Sequence, residues 1–331
     1  MSTEKKIAVI GGGSWATAIV KMLANNVDTL LWWMRNEVAV QHIKETQHNP
    51  RYLSGARINT DVVEVSSNLK AICDQADVII LAVPSAFLHT TLSALEIDLS
   101  KKTFFSAVKG IIPEHNQIVG EYIQSEYNVP LNQIGVITGP CHAEEVALER
   151  LSYLTVACED LTVAEFMAEQ LRCRYIKATT SDDIYGTEYS AVLKNVVAVA
   201  AGVAHGLGYG DNFLSVLISN AIREIKRFVD TVHPINRDIK DSAYLGDLLV
   251  TAYSKFSRNR TFGTYIGKGY SVKAAQMDMN MVAEGYYAVK CIKEINKDFG
   301  VDMPITDSVY RMVYEKMSPR LEFKLLSEVL D

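Results

Sequence analysis

The run Ile7-Ala8-Val9-Ile10-Gly11-Gly12-Gly13-Ser14-Trp15-Ala16-Thr17-Ala18 constrains the fold more than any other stretch of the chain. Four apolar residues of a buried strand run into a glycine turn, and a helix starts at once. The spacing is Gly-x-Gly-x-x-Ala. Gly11 suits a tight turn, Gly13 lets backbone approach a pyrophosphate, and Ala16 is small enough for helix and strand to pack closely. Amide groups at the N-terminus of the new helix then face the phosphates. An ordinary strand-to-helix connection is the plainer alternative. It loses ground because the motif opens the chain, directly behind Lys5-Lys6, where a dinucleotide-binding fold begins.

Such a fold closes its first β-α-β unit about 20 residues later, with an acidic residue there if the ribose 2′-hydroxyl of NAD is gripped. Thr29-Leu30-Leu31-Trp32-Trp33-Met34 reads as that second strand, but Arg35 follows it, then Asn36, and only then Glu37. A guanidinium at this place suits a 2′-phosphate and also stacks on adenine, which favours NADP over NAD. A solvated surface arginine is the competing reading.

At 331 residues and 48% hydrophobic the chain has material for two domains, each with its own core. The net charge of −6 and the lack of a basic, aromatic-interleaved stripe argue against nucleic acid as a partner. Met1 to Lys6 lead into a strand without the features of a signal peptide, and no apolar run reaches the ~18 residues of a membrane span. The cysteines Cys73, Cys141, Cys158, Cys173 and Cys291 are odd in number and scattered, with no Cys-x-x-Cys. A reduced, cytoplasmic setting is expected, and no metal site.

Short apolar runs alternate with helix-like stretches through the first half. Ala76 to Ser85, Lys102 to Gly110, Ile134 to Pro140 and Ser152 to Cys158 read as further strands, which argues for a parallel, doubly wound sheet. Ser85, Lys109 and Gly139 fall at carboxyl ends of strands, where such sheets bind ligands. Beyond about Asp182 long helical stretches take over, Ile184 to His205 and Phe213 to His233 among them. Gly202 to Asn212 reads as a helix end and turn. The expected architecture is α/β: a Rossmann-type doubly wound sheet over residues 1–184, then a mainly α-helical domain over 185–331.

Three clusters in the second half carry chemistry. Glu188 to Val197 sets Lys194 and Asn195 in an apolar helix; the lysine either has a buried partner or snorkels to solvent. Tyr244 to Thr251 sets Asp247 among apolar residues, as partner to that lysine or as a helix cap. Ser257-Arg258-Asn259-Arg260-Thr261-Phe262-Gly263 crowds two guanidiniums, an amide and hydroxyls together, as oxyanion recognition requires, or forms a solvated basic turn.

Taken in order, these stretches closely resemble the bacterial-type NAD(P)-dependent glycerol-3-phosphate dehydrogenase family. The match runs through Gly11 to Trp15, Leu31-Trp32 with Arg35, Asn49-Pro50-Arg51-Tyr52-Leu53, Ala82-Val83-Pro84-Ser85, Lys109-Gly110 and Gly139-Pro140. It continues through Leu193-Lys194-Asn195, Leu245-Gly246-Asp247-Leu248, Ser257 to Gly263 and Glu284-Gly285. The resemblance implies reduction of dihydroxyacetone phosphate to sn-glycerol 3-phosphate for phospholipid synthesis, by a protein often paired as a dimer. By position, Lys194 resembles the proton-transfer residue, with Lys109 and Asp247 completing the catalytic set. Gly11, Gly13, Ser14, Trp15, Arg35, Lys109, Ala143, Arg258, Val282 and Glu284 would contact NADP or NAD. Lys109, Gly139, Cys141, Lys194, Asn195, Asp247, Ser257, Arg258 and Asn259 would contact the small phosphate substrate.

The chain departs from the family at two places. Ala16 replaces a usual glycine, which the small-residue requirement tolerates. Cys141-His142 replaces a hydroxyl and an aromatic residue, so a hydroxyl contact to substrate at position 141 is in doubt, a thiol being a weak donor. A Cys-His dyad or the His-x-Glu of a zinc deaminase in His142-Ala143-Glu144 is the weaker reading, because adjacent residues on extended chain point apart and the Pro-Cys-x-x-Cys partner is absent. Two other classes of protein compete with the family reading. A related two-domain hydroxy-acid dehydrogenase would want a carboxylate site near the lysine, and a non-catalytic NAD(P)-sensing protein would lose one or more of Lys109, Lys194 and Asp247.

Overall fold

The structure is a computed structural model that describes residues 5–254, 256–279 and 283–331. The chain divides into two compact units, residues 1–108 with 119–184, and residues 109–118 with 185–331. Residues 109–118 thus pack with the second unit although they lie, in sequence, inside the first.

The first unit alternates strands and helices: β1 (Ile7–Ile10), α1 (Ser14–Leu23), β2 (Leu30–Trp33), α2 (Glu37–Thr46), β3 (Val63–Ser66), α3 (Leu69–Gln75), β4 (Val78–Leu81) and α4 (Ser85–Leu92). Then come β5 (Thr103–Ser106), α5 (Val119–Tyr127), β6 (Ile134–Thr138), α6 (Ala143–Ala147), β7 (Ser152–Cys158), α7 (Leu161–Leu171) and β8 (Ile176–Ser181). One eight-stranded sheet results, in the order β3-β2-β1-β4-β5-β6-β7-β8. Every residue of β1, β2, β4 and β5 is buried, as strands covered on both faces must be. That is why β1, β2 and β4 read as continuous apolar runs.

The sheet departs from the expected all-parallel pattern at one place, where β7 runs antiparallel to β6, Val136 opposite Ala157. Between these strands only the five-residue α6 is helical, too little for the helix that usually makes a parallel crossover. The full helix α7 then links β7 to β8, and that pair is parallel. Edge strands β3 and β8 alternate buried and exposed residues at their starts.

The second unit is helical: α8 (Ile184–Leu207), α9 (Asp211–Val232), α10 (Asp247–Tyr253), α11 (Arg258–Gly267), α12 (Val272–Asp278), α13 (Glu284–Phe299), α14 (Pro304–Val313) and α15 (Pro319–Ser327). By length and apolar composition α8 could cross a membrane, but 83% of its most apolar window is buried inside the protein. Its Val196, Val199, Ala200 and Val203 join Phe228, Leu248, Phe262 and Ile292 in one core.

The helix end and turn expected over Gly202 to Asn212 are present: α8 ends at Leu207, Gly208 follows at φ +87° and α9 starts at Asp211, while Gly202 and Gly206 lie in the last turns of α8. They form half of a close helix crossing. A methyl on Gly202 would stand 2.0 Å from the carbonyl oxygen of Arg260, and one on Gly263 would stand 2.0 Å from that of Val199. Gly206 and Gly267 repeat the pattern one turn on, so α8 and α11 meet backbone to backbone. Nearby, the buried carboxylate of Glu224 on α9 caps α14, accepting hydrogen bonds from the amides of Ile305 (2.8 Å) and Thr306 (3.0 Å) and the Thr306 hydroxyl (2.6 Å). Burial pushes Glu224 up to about 7, against the pull of those three donors.

Candidate active site

The glycine turn is built for close approach. Gly11 has φ +142°, and a Cβ there would lie 2.4 Å from the carbonyl oxygen of Ala82; the position admits glycine alone. Its own carbonyl accepts the buried Trp32 indole N–H at 2.7 Å. Gly13 is the residue before α1, and nothing lies within 4 Å of where its Cβ would be. The first amides of a helix have no acceptor within it, and the open space at Gly13 leaves room for a phosphate to approach them. The residues present therefore fit a dinucleotide.

Asn49 braces this turn. Wholly buried, it donates to the Thr17 hydroxyl (2.9 Å) and to the carbonyl of Gly12 (3.2 Å), while its Oδ1 accepts the amides of Arg51 and Tyr52. The sequence marked Asn49 only as part of a family motif. An asparagine before proline signals a local turn, but nothing local reveals what else it holds. Arg35 is exposed just beyond β2. Glu37, the nearest acid, accepts a hydrogen bond from the Ser67 hydroxyl instead. Ala143 is buried at the start of α6, Gly139 follows β6 at φ +115°, and Cys141 between them is 4% exposed.

In the second unit the structure brings Lys194, Asp247 and Lys109 together. Lys194, on α8, and Asp247, the first residue of α10, are both almost wholly buried and ion-paired through Nζ and Oδ1. The Lys109 ammonium stands 3.8 Å from the other carboxylate oxygen, with its side chain 23% exposed. Lys194 does not snorkel and Asp247 does not cap. Burial drives the Lys194 ammonium down to about 7; Lys109 adds to the fall and Asp247 opposes it. The Asp247 carbonyl accepts the Thr251 hydroxyl at 2.7 Å, which steadies the start of α10.

The amides beside these groups are anchors. Asn195 donates to the carbonyl of Lys109 at 2.7 Å. Asn259 accepts the amide of Gly285 at 2.9 Å, holding the start of α13. A Cβ on Gly285 would stand 2.5 Å from the Asn195 carbonyl oxygen, so α13 also meets α8 closely. The Ser257 oxygen accepts the amide of Arg260 at 3.2 Å and caps α11. Arg258 is exposed, whereas Arg260 is half-buried and donates to the carbonyl of Tyr253 at 3.0 Å. The two guanidiniums of the motif thus have different surroundings. Glu284 opens α13; Val282 lies outside the described residues. No cluster of His, Cys, Asp and Glu suited to a metal occurs among the described residues, and the five cysteines form no disulfide.

Two family models match the chain: the N-terminal part of NAD-dependent glycerol-3-phosphate dehydrogenase over residues 6–164, and its C-terminal part over residues 183–324. A Staphylococcus aureus protein named glycerol-3-phosphate dehydrogenase (NAD(P)+) is 35% identical over 328 residues, 98% of each chain. The crystal structure of glycerol-3-phosphate dehydrogenase from Coxiella burnetii superposes with a TM-score of 0.90 at 27% identity, covering 98% of this chain and 99% of that one. D-mandelate dehydrogenase with NADH, at 18% identity and a TM-score of 0.62 over 97% of this chain and 99% of its own, shares the fold alone.

Proposed function

The chain belongs to the NAD-dependent glycerol-3-phosphate dehydrogenase family, and we propose that Lys194 is the group that moves the proton in its reaction. That reaction is the NAD(P)-dependent interconversion of dihydroxyacetone phosphate and sn-glycerol 3-phosphate. When bound, the nicotinamide supplies hydride to the substrate carbonyl or takes it from the alcohol carbon. As the carbonyl carbon is reduced, charge grows on its oxygen, and the Lys194 ammonium stabilises that charge and donates the proton. Asp247 orients the ammonium and Lys109 balances the carboxylate. The single observation that carries this reading is a buried lysine paired with Asp247 beside a second lysine. Its lowering toward 7 suits both directions, since the acid and the amine are then both accessible near neutral pH.

Gly11, Gly13, Ser14 and Trp15 would hold the pyrophosphate, with Ala143, Lys109, Arg258, Glu284 and Val282 completing the cofactor contacts. Arg35 would meet a 2′-phosphate, which makes NADPH the preferred donor; the engagement of Glu37 by Ser67 supports this. Arg258 would take the substrate phosphate, with Ser257, Asn259, Asn195, Gly139 and Cys141 around the substrate. Remote binding of that dianion orders the reacting complex. The reading extends to supply of glycerol 3-phosphate for phospholipid synthesis, by family likeness, and to a cytoplasmic location, which the unpaired cysteines support. It also includes a homodimer, by family likeness.

An assay of cofactor oxidation with dihydroxyacetone phosphate, run with NADPH and NADH in parallel, tests the reading. Turnover with NADPH faster than with NADH is the expected result. No turnover with either rejects the enzyme; equal turnover rejects the role of Arg35.

A further inference from the structure

A cavity of about 290 Å³ opens beside the C-terminal end of α8, lined by His205, Arg260, Thr261, Thr264, Tyr265 and Lys268, together with Ser254. It lies just below the roughly 300–1,000 Å³ of pockets that take drug-sized ligands, so its occupant is small. None of the lining residues is a carboxylate. The hydroxyls of Thr261 and Thr264 donate to the carbonyls of Ser257 (3.2 Å) and Arg260 (2.9 Å), and Tyr265 donates to Asp278. The Ser254 oxygen accepts the amide of Phe256 at 3.1 Å, which leaves its own hydrogen to give. Recognition therefore falls to Arg260, Lys268, His205 and the Ser254 hydroxyl. Arg260 spends one N–H on Tyr253 while its Nε is buried without a hydrogen-bond partner, a state that buried donors seldom keep. Among the described residues no ion pair holds either Arg260 or Lys268.

We propose that this cavity is a second oxyanion site that takes a phosphate-class anion, separate from the substrate site. Lys194 and His205 are both on α8, and the rise of a helix sets them roughly 16 Å apart. Arg258, to which the substrate phosphate is assigned, does not line the cavity although it is only two residues from Arg260. The guanidinium and the ammonium supply charge-assisted donors of the kind that hold phosphate. The occupant would bridge the end of α8 to α11 and to the turn after α10; α8 carries Lys194 and α10 carries Asp247.

The test uses the full chain. Crystals soaked in tungstate should show an anomalous peak within hydrogen-bond distance of Arg260 and Lys268. Inorganic phosphate, titrated into Arg258→Ala protein to silence the substrate site, should bind about tenfold more weakly once Lys268→Ala is added, and Lys268→Arg should restore it. Lys268 is exposed, so neither change threatens folding. A peak at Arg258 with none at Arg260, or a phosphate affinity that Lys268→Ala leaves unaltered, overturns the proposal.

Discussion

Asn195 donates its side-chain amide to the carbonyl of Lys109 at 2.7 Å, tying the residue next to Lys194 on α8 to the segment that delivers the second lysine. The segments that bear the two lysines proposed to act together are thereby joined by one hydrogen bond. Asn195→Ala should lower kcat by roughly 10- to 100-fold, the cost of a misplacement of about 1 Å, with KM for the cofactor unchanged. Steady-state kinetics beside a melting curve separate this from unfolding. A parallel loss in kcat and in melting temperature would make Asn195 a structural residue only.

Lys194→Met should lower kcat by about 10²–10⁴. In the unaltered protein, carbonyl reduction needs the ammonium and should decline as pH rises through about 7; alcohol oxidation needs the amine and should decline as pH falls below about 7. Stability should follow the same group. Unfolded, the lysine keeps its proton up to the ordinary value of 10.5, while folded it gives the proton up from about 7. The unfolded chain binds more protons between these values, so this residue's contribution to stability rises with pH across that window. Denaturant midpoints from pH 7 to 9 should rise less steeply in Lys194→Met than in the unaltered chain.

Arg258→Ala should cost roughly 2–4 kcal/mol in kcat/KM for dihydroxyacetone phosphate, about 30- to 1,000-fold. Dihydroxyacetone has no phosphate for the guanidinium to hold, so its low rate should barely change. If both substrates slow equally, Arg258 does not bind phosphate.

Arg35→Asp should weaken NADPH by roughly 1–3 kcal/mol more than NADH, because a charge-assisted bond is lost and a carboxylate is set against the 2′-phosphate. Titration of both cofactors into the variant measures the difference, and equal losses contradict it.

Gly263→Ala would put a Cβ 2.0 Å from the Val199 carbonyl oxygen and force α8 and α11 apart. Overpacking of this kind costs about 1–3 kcal/mol or more. Gly55→Ala, at a site open for 4 Å around the new methyl, should stay within about 0.5 kcal/mol of the unaltered chain. Urea unfolding of both variants reads the contrast.

The strands legible in the sequence are the ones buried on both faces. Ile7–Ile10 and Val78–Leu81 are unbroken apolar runs, whereas the edge strands Val63–Ser66 and Ile176–Ser181 mix polar and apolar residues over a few positions and escaped notice. The reversal of β7 was hidden because direction depends on the connection, not on the strand. The helix end after Gly206 was legible, but the close approach of Gly202 and Gly206 to Gly263 and Gly267 was not, because these glycines lie about 60 residues apart in sequence and only tertiary packing joins them. Each site residue was visible as a type. That Lys194 and Asp247 meet, or that Asn195 and Asn259 spend amide groups as anchors, depends on approaches no local pattern encodes.

Residues 109–118 belong to the helical unit while their flanks belong to the sheet unit. The polypeptide therefore changes allegiance three times, and neither half is a detachable module. A fragment starting at Tyr185 would lack Lys109 as well as Ile111 and Ile118, which are buried in the helical core. During synthesis this short stretch emerges well before the helices that bury it, so it must wait, unsheltered, until the rest of its unit is made. Recombination that joins a foreign first half at residue 184 would replace one of the two lysines along with the dinucleotide loop, which obliges the two to be inherited together.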